Sequence, residues 1–195
     1  MEEKIKELEE YAEKYNIPII QKRSLTYILK YIQKNNIKTI LEIGTAIGYS
    51  SIIMALLDRN IKITTIERDS EMYLEAVKNV KNFKLEKQIF IVHSDALNLE
   101  LTEKYDMVFI DAAKGQYINF FEKYQYNLNE KGVIISDNMS FHDLVESTEE
   151  IENKNLRQLV EKIRKYIDFL KNNKDFETKF YKLGDGLAVS EKISE

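Results

Sequence analysis

"KTILEIGTAIGYSSIIMALLD", residues 38–58, runs from an apolar stretch through Gly44 and Gly48 straight into a helical pattern, with no linker between. A strand that is apolar on both faces must be covered on both faces, which is the property of parallel strands packed between helices. The next stretches repeat the device. "IKITTIE" reads as a strand, "SEMYLEAVKNV" as a helix with Tyr73, Ala76, Val77 and Val80 turned inward, and "QIFIVH" and "YDMVFID" as strands. "YINFFEKYQYNL" then reads as a helix and "GVIISD" as a fifth strand. Strands alternating with helices predict an α/β fold, a doubly wound parallel sheet with helices on both faces.

Both ends of the chain depart from this alternation. Residues 1–36 form a helical N-terminal extension: Ile5, Leu8, Ala12 and Tyr15 make one apolar stripe, Pro18 breaks it, and a second helix begins near Gln21. Residues 37–195 hold the core sheet and its helices, so 1–195 is expected to be a single domain, the size usual for one. A long helix over about 153–172 carries Leu156, Leu159, Val160, Ile163, Tyr166, Ile167 and Leu170 at helical spacing. Beyond it, "FETKFYKLGDGLAVSEK" reads as two strands around Gly184-Asp185-Gly186, an antiparallel hairpin. The expected total is seven strands, mostly parallel.

Composition excludes several function classes. With no cysteine and only His93 and His142, the chain can build neither thiolate nor histidine-rich metal sites, so any metal must be held mainly by oxygen. No apolar run approaches the roughly 20 residues of a membrane span, and the charged start MEEKIKELEE is not a secretory signal. A cytoplasmic protein with no membrane partner is expected. The net charge of −4 argues against a generally basic nucleic-acid binder. Charge is nevertheless uneven: residues 154–174 carry seven basic side chains against two acids. A solvated helix face explains that run more readily than a phosphate-binding surface does.

In doubly wound sheets, ligands bind at the carboxyl ends of the strands near the switch in strand order. Gly44 and Gly48 sit at such an end and lead into a helix N-terminus, where N–H groups meet anions. Glu67, at the end of the second strand, can accept hydrogen bonds from a ribose diol. The spacing lacks the middle glycine of a dinucleotide fingerprint, and a P-loop lysine is missing. A ligand with a carboxylate and a ribose but no phosphate fits better, and S-adenosylmethionine is one. Asp111 ends the fourth strand, and Asp137 with Asn138 ends the fifth. Taken singly each acid reads first as a turn or capping residue, but together they make a hard-oxygen set suited to Mg2+, Mn2+ or Ca2+. Such a cation, chelating two adjacent substrate oxygens, would orient one and lower its pKa. Lys114, three residues past Asp111, can face the same pocket and take the hydroxyl proton.

The segments "LEIGTAIGYSSIIMA", "FIDAAKGQY" and "ISDNMSF" resemble the motifs of metal-dependent, S-adenosylmethionine-dependent O-methyltransferases, the family of catechol and caffeoyl-CoA O-methyltransferases. The resemblance runs from about Ile17 to Ser190. "YAEKYNIPII", "LRQLVEKIRKY" and "GDGLAVS" are similar to the bacterial members that methylate 5-hydroxyuridine in tRNA. It implies a Rossmann-like class I methyltransferase fold and a homodimer. It also implies Asp111, Asp137 and Asn138 as magnesium ligands and Lys114 as the catalytic lysine working beside Asp111. Glu42, Gly44, Tyr49 and Ser50 would surround the methionine part of the cofactor, with Asp111 on the same pocket. Glu67 would hold the ribose, and Asp95 and Ala96 would border the adenine. The departures, a missing N-terminal helix and Asp143 after the metal loop, fall at the substrate entrance.

The expected function is therefore O-methylation of 5-hydroxyuridine at the tRNA wobble position to 5-methoxyuridine. Small catechols or caffeoyl-CoA-like phenolics are the alternative acceptors, and a non-catalytic cofactor- or RNA-binding protein is a second alternative. Lys22, Arg23, Arg157 and Arg164 are the candidate RNA contacts, and His142 either approaches the substrate or covers the metal loop.

Overall fold

The computed structural model describes residues 1–140, 145 and 152–193. Two helices open it, α1 (Glu2–Lys14) and α2 (Lys22–Lys34). Then come β1 (Thr39–Ile43), α3 (Tyr49–Leu56), β2 (Lys62–Glu67), α4 (Ser70–Asn82), β3 (Ile89–His93) and β4 (Tyr105–Ile110). A 3₁₀ turn at Lys114–Gln116 leads into α5 (Tyr117–Tyr124), followed by β5 (Leu128–Ser136), α6 (Lys154–Asn172), β6 (Phe176–Tyr181) and β7 (Leu187–Lys192). The strands form one seven-stranded sheet in the order β3-β2-β1-β4-β5-β7-β6. β1 to β5 pair in parallel, and β7 runs antiparallel between β5 and β6. This is the doubly wound, mostly parallel fold the alternation predicts.

Two apolar clusters sandwich the sheet. Leu25, Ile28, Ile40, Ile52, Ile63 and Phe109 belong to one, and Leu41, Ile43, Val108, Ile110, Phe121 and Tyr166 to the other. Adjacent β1 residues thus serve opposite faces, which is why the strand reads as continuously apolar. Side-chain caps set two helix starts. Asp69 accepts from the N–H groups of Glu71 and Met72, and Asn153 from those of Asn155 and Leu156, each cap being worth about 1 kcal/mol.

Several expected details shift. Val77 and Tyr15 are 40% and 54% exposed rather than inward. Val77 sits at the margin of the α4 stripe led by Ala76 and Val80, and Tyr15 lies one residue past the end of α1, against Tyr11. β5 begins at Leu128, four residues before "GVIISD", because Leu128 pairs with Tyr105 ahead of a register shift. His93 ends β3 exposed, its ring stacked on Tyr73 at 4.7 Å. Among the described residues, no helix is long and apolar enough to cross a membrane.

Candidate active site

The chain runs from β1 outward to β2 and β3, then returns to place β4 on the other side of β1. The ends of β1 and β4 therefore flank the switch point, where loops diverge and leave a crevice. A cavity of about 490 Å³ lies there. Gly44, Thr45, Ala46, Tyr49 and Ser50 line it from the glycine loop, Glu67 and Arg68 from the end of β2, and Asp95 and Ala96 from the end of β3. Asp111, Lys114, Asp137 and Asn138 line it from the ends of β4 and β5.

Backbone geometry explains how these ends come so close. Gly44 has φ +98°, and a Cβ there would stand 2.1 Å from the Asp111 carbonyl oxygen. Only glycine fits that approach. The N–H of Asp111 donates to the Ile43 carbonyl at 3.0 Å and that of Asp137 to the Ile110 carbonyl at 3.1 Å, so each strand carries the next acid to the same edge. Glu67 clamps the loop, accepting from the N–H groups of Ala46 and Asp69, both at 2.8 Å. At the far end Asp95 accepts from the N–H of Leu97 at 2.8 Å, and the Ala96 carbonyl accepts from the Tyr124 hydroxyl at 2.6 Å.

Glu42 does not line this cavity with its neighbours. It is fully buried beneath the glycine loop, because in β1 it points to the face opposite Leu41 and Ile43. There its carboxylate accepts from the hydroxyls of Ser50 at 2.5 Å, Thr65 at 2.6 Å and Ser51. Thr65 has spent its proton on Glu42, so Thr45, 2.6 Å away, donates to Thr65. Burial pushes the Glu42 carboxyl up to about 7 against the pull of the three hydroxyls. Glu42 thus ties the start of α3 to β2 beneath the glycine loop.

Burial disfavours charge on both acids of the pair. Asp137 is buried and Asp111 half-buried, facing the cavity. Asp111 accepts from Asn138 Nδ2 at 2.9 Å, whereas Asp137 Oδ1 has no hydrogen-bond partner among the described residues. Burial lifts Asp111 to about 6, opposed by Lys114 and the Asn138 hydrogen bond. Burial and then the Asp111 charge lift Asp137 to about 8. Asn138 is held at φ +65°, a left-handed conformation that turns its amide onto this pair. An orphaned buried oxygen, two raised carboxyls and an amide oxygen suit a hard divalent cation, whose charge would reverse both shifts. Among the described residues no group of three or more Cys, His, Asp or Glu forms a cage, so other positions around such an ion fall to water or substrate.

The substrate candidates lie elsewhere. Lys22, Arg23, Arg157 and Arg164 do not line the cavity; all four are exposed. Lys22 donates to Glu9 at 2.7 Å, and Arg164 Nε to the Val145 carbonyl at 3.0 Å. His142 falls outside the described residues. What the cavity adds is mostly non-local: Pro18–Gln21 between α1 and α2, Phe120, and Asp185 from the β6–β7 loop, whose charge raises both acids. Tyr117, buried behind the pair, donates to the Asp137 carbonyl at 3.2 Å. Its place directly after "AAKGQ" was the one available signal.

Comparison with known proteins follows the same outline. Residues 2–193 match a family model described as O-methyltransferase. A Staphylococcus aureus crystal structure assigned as a caffeoyl-CoA O-methyltransferase is 40% identical, with a TM-score of 0.93, over 97% of this chain and 92% of that one. The flavonoid 3',5'-methyltransferase of Vitis vinifera is 26% identical over 96% of this chain and 83% of its own. The S-adenosylhomocysteine-bound methyltransferase PaMTH1 of Podospora anserina, at 20% identity, shares the fold with a TM-score of 0.85 over 98% of this chain and 88% of that one.

Proposed function

We propose an acceptor and a metal for this chain, which belongs to the O-methyltransferase family and is an S-adenosylmethionine-dependent O-methyltransferase. The acceptor is 5-hydroxyuridine at the tRNA wobble position, giving 5-methoxyuridine, and the metal is Mg2+ held by Asp111, Asp137 and Asn138. One observation carries the choice of acceptor. α6 presents six basic residues, all exposed, against Glu161 and Asp168, and Lys162 lies against Gly115, 3.1 Å from where a Cβ would stand. Gly115 follows Lys114, a lining residue of the cofactor cavity. A cationic face beginning beside the reacting centre suits an acceptor base carried on a phosphate backbone. In a homodimer two such faces would lengthen the platform.

A small phenolic acceptor is the second reading, favoured by what the S. aureus and Vitis relatives are named for. Both acceptors offer two adjacent oxygens on a planar ring, and the chemistry is common to them. S-adenosylmethionine supplies a methyl already activated by the sulfonium. A divalent cation, when bound, would supply the charge that orients the oxygen pair and lowers the pKa of the hydroxyl. The chain's own groups do the rest. N–H groups at the start of α3 would hold the amino-acid end of the cofactor, Glu67 its ribose, and Asp95 and Ala96 would border its adenine. Lys114, which lines the cavity beside Asp111 and Asp137, would take the hydroxyl proton in its neutral form as the methyl arrives.

The test offers labelled S-adenosylmethionine and Mg2+ with either bulk tRNA containing 5-hydroxyuridine or a free catechol. Label in tRNA supports the proposal. Label in the catechol alone would replace it with the phenolic reading.

A further inference from the structure

The roof of the cofactor cavity is built from a segment remote from the acids. Pro18–Gln21, the connector between α1 and α2, lines the cavity, and Ile20 within it is buried. On its downstream side the connector is well anchored, since α2 buries Leu25, Ile28 and Ile32. Upstream it depends on α1, whose thirteen residues fully bury only Leu8 and Ala12. Two of the other attachments of α1 are at the surface: Lys4 donates to the Asn82 carbonyl, and Lys78 lies over the Tyr11 ring. An element held this lightly opens more readily than the sheet beneath it.

One side chain of α1 reaches further. Glu9 Oε1 accepts from the Tyr49 hydroxyl at 2.6 Å, and Glu9 Oε2 accepts from Lys22 Nζ at 2.7 Å. Tyr49 is the first residue of α3, directly after Gly48, is 4% exposed and lines the cavity. Lys22 is the first residue of α2. A single carboxylate therefore joins α1 to the starts of two other helices, across the connector that covers the cavity. Burial pushes the Glu9 carboxyl up, but the hydrogen bonds from Lys22 and Tyr49 outweigh it and hold the group below its ordinary range. It is ionised at neutral pH, so both hydrogen bonds are charge-assisted.

We propose that Glu9 is a positioning residue of the cofactor site: by accepting from Tyr49 it latches α1 and the connector over the bound cofactor and sets how fast that cofactor leaves. Lys22 belongs to the same latch and orients the carboxylate. The inference needs only the cofactor and holds whichever acceptor is methylated.

The experiment is stopped-flow measurement of S-adenosylhomocysteine binding and release by the full chain, without metal or acceptor. Glu9→Gln and Tyr49→Phe are each expected to raise koff about five- to tenfold, the effect of losing one charge-assisted hydrogen bond. The double variant should exceed neither single one by more than about twofold, because Tyr49→Phe removes the contact and Glu9→Gln the charge that strengthens it. The association rate should stay the same or rise, since a loosened roof does not obstruct entry. An unchanged koff in Glu9→Gln would overturn the proposal. So would single effects that multiply in the double variant, or a fall in association rate with a lowered melting temperature, which would mark Glu9 as an ordinary support of the fold.

Discussion

Replacing Asp137 with asparagine should stabilise the metal-free protein. The unfolded chain ionises Asp137 near 3.8, whereas the metal-free fold does so near 8. At pH 7 the folded group therefore keeps a proton that the unfolded chain has released, over a gap of about three pH units. At roughly 1.4 kcal/mol per unit this costs about 4 kcal/mol. Part of the shift belongs jointly to Asp111, so the share removed by Asp137→Asn is about 2–4 kcal/mol. The sign follows from the direction of the shift: a raised carboxyl costs nothing below its unfolded pKa, and the cost grows with pH until the folded pKa is passed. Metal-free wild type should lose stability from about pH 4 to pH 8, and Asp137→Asn should lose less. For a chain of 195 residues the difference at pH 7 corresponds to roughly 5–12 °C in melting temperature. The assay is thermal or urea unfolding in chelator and again in excess Mg2+. In Mg2+ the order should reverse, because wild type gains stability by binding the ion and the variant responds weakly. Asp137→Asn melting at or below wild type in chelator would refute the reasoning, since the carboxylate would then not be strained.

Three other perturbations test separate parts of the account. Gly44→Ala should abolish cofactor binding and destabilise the fold by at least about 2 kcal/mol, checked by calorimetry, because its Cβ would collide with the Asp111 carbonyl at a left-handed φ. Glu42→Gln should be less stable than wild type at pH 5, where the buried carboxyl is neutral at little cost. The gap should narrow by pH 8, because wild type alone carries the cost of a carboxyl raised from 4.5 to about 7; a pH-independent gap in unfolding free energy would contradict this. Lys162→Glu should weaken tRNA binding about tenfold at low salt and flatten its salt dependence while leaving S-adenosylhomocysteine affinity unchanged, as read by filter binding and calorimetry.

The sheet was legible because its strands are buried on both faces and alternate with helices, a pattern that few other architectures produce. The acids at the ends of β1, β2, β4 and β5 were legible for the same reason, since a carboxylate closing an apolar strand stands out. That signal carried no direction, and Glu42 shows the consequence. Strand alternation turns it down toward Ser50, Ser51 and Thr65, while Asp111, one residue past β4, reaches the cavity. Asp185 was hidden because an Asp-Gly pair between strands already explains itself as turn chemistry. Its approach to the acid pair depends on β7 lying beside β5, and the Ser140 N–H donates to the Asp185 carbonyl. The roof at Pro18–Gln21 was hidden likewise, since nothing local tells a helix connector that it will cover a crevice built from five strand ends.

The central claim is that the acid pair serves a cation on which methyl transfer depends. The most direct measurement is transfer of labelled methyl from S-adenosylmethionine to the acceptor in chelator, after Mg2+ is restored, and in Asp111→Ala, with S-adenosylhomocysteine affinity followed in parallel. Transfer should be lost in chelator, return with Mg2+ and stay absent in Asp111→Ala, while cofactor affinity changes by no more than about threefold, a coupling below 1 kcal/mol. Undiminished transfer in chelator would contradict the claim.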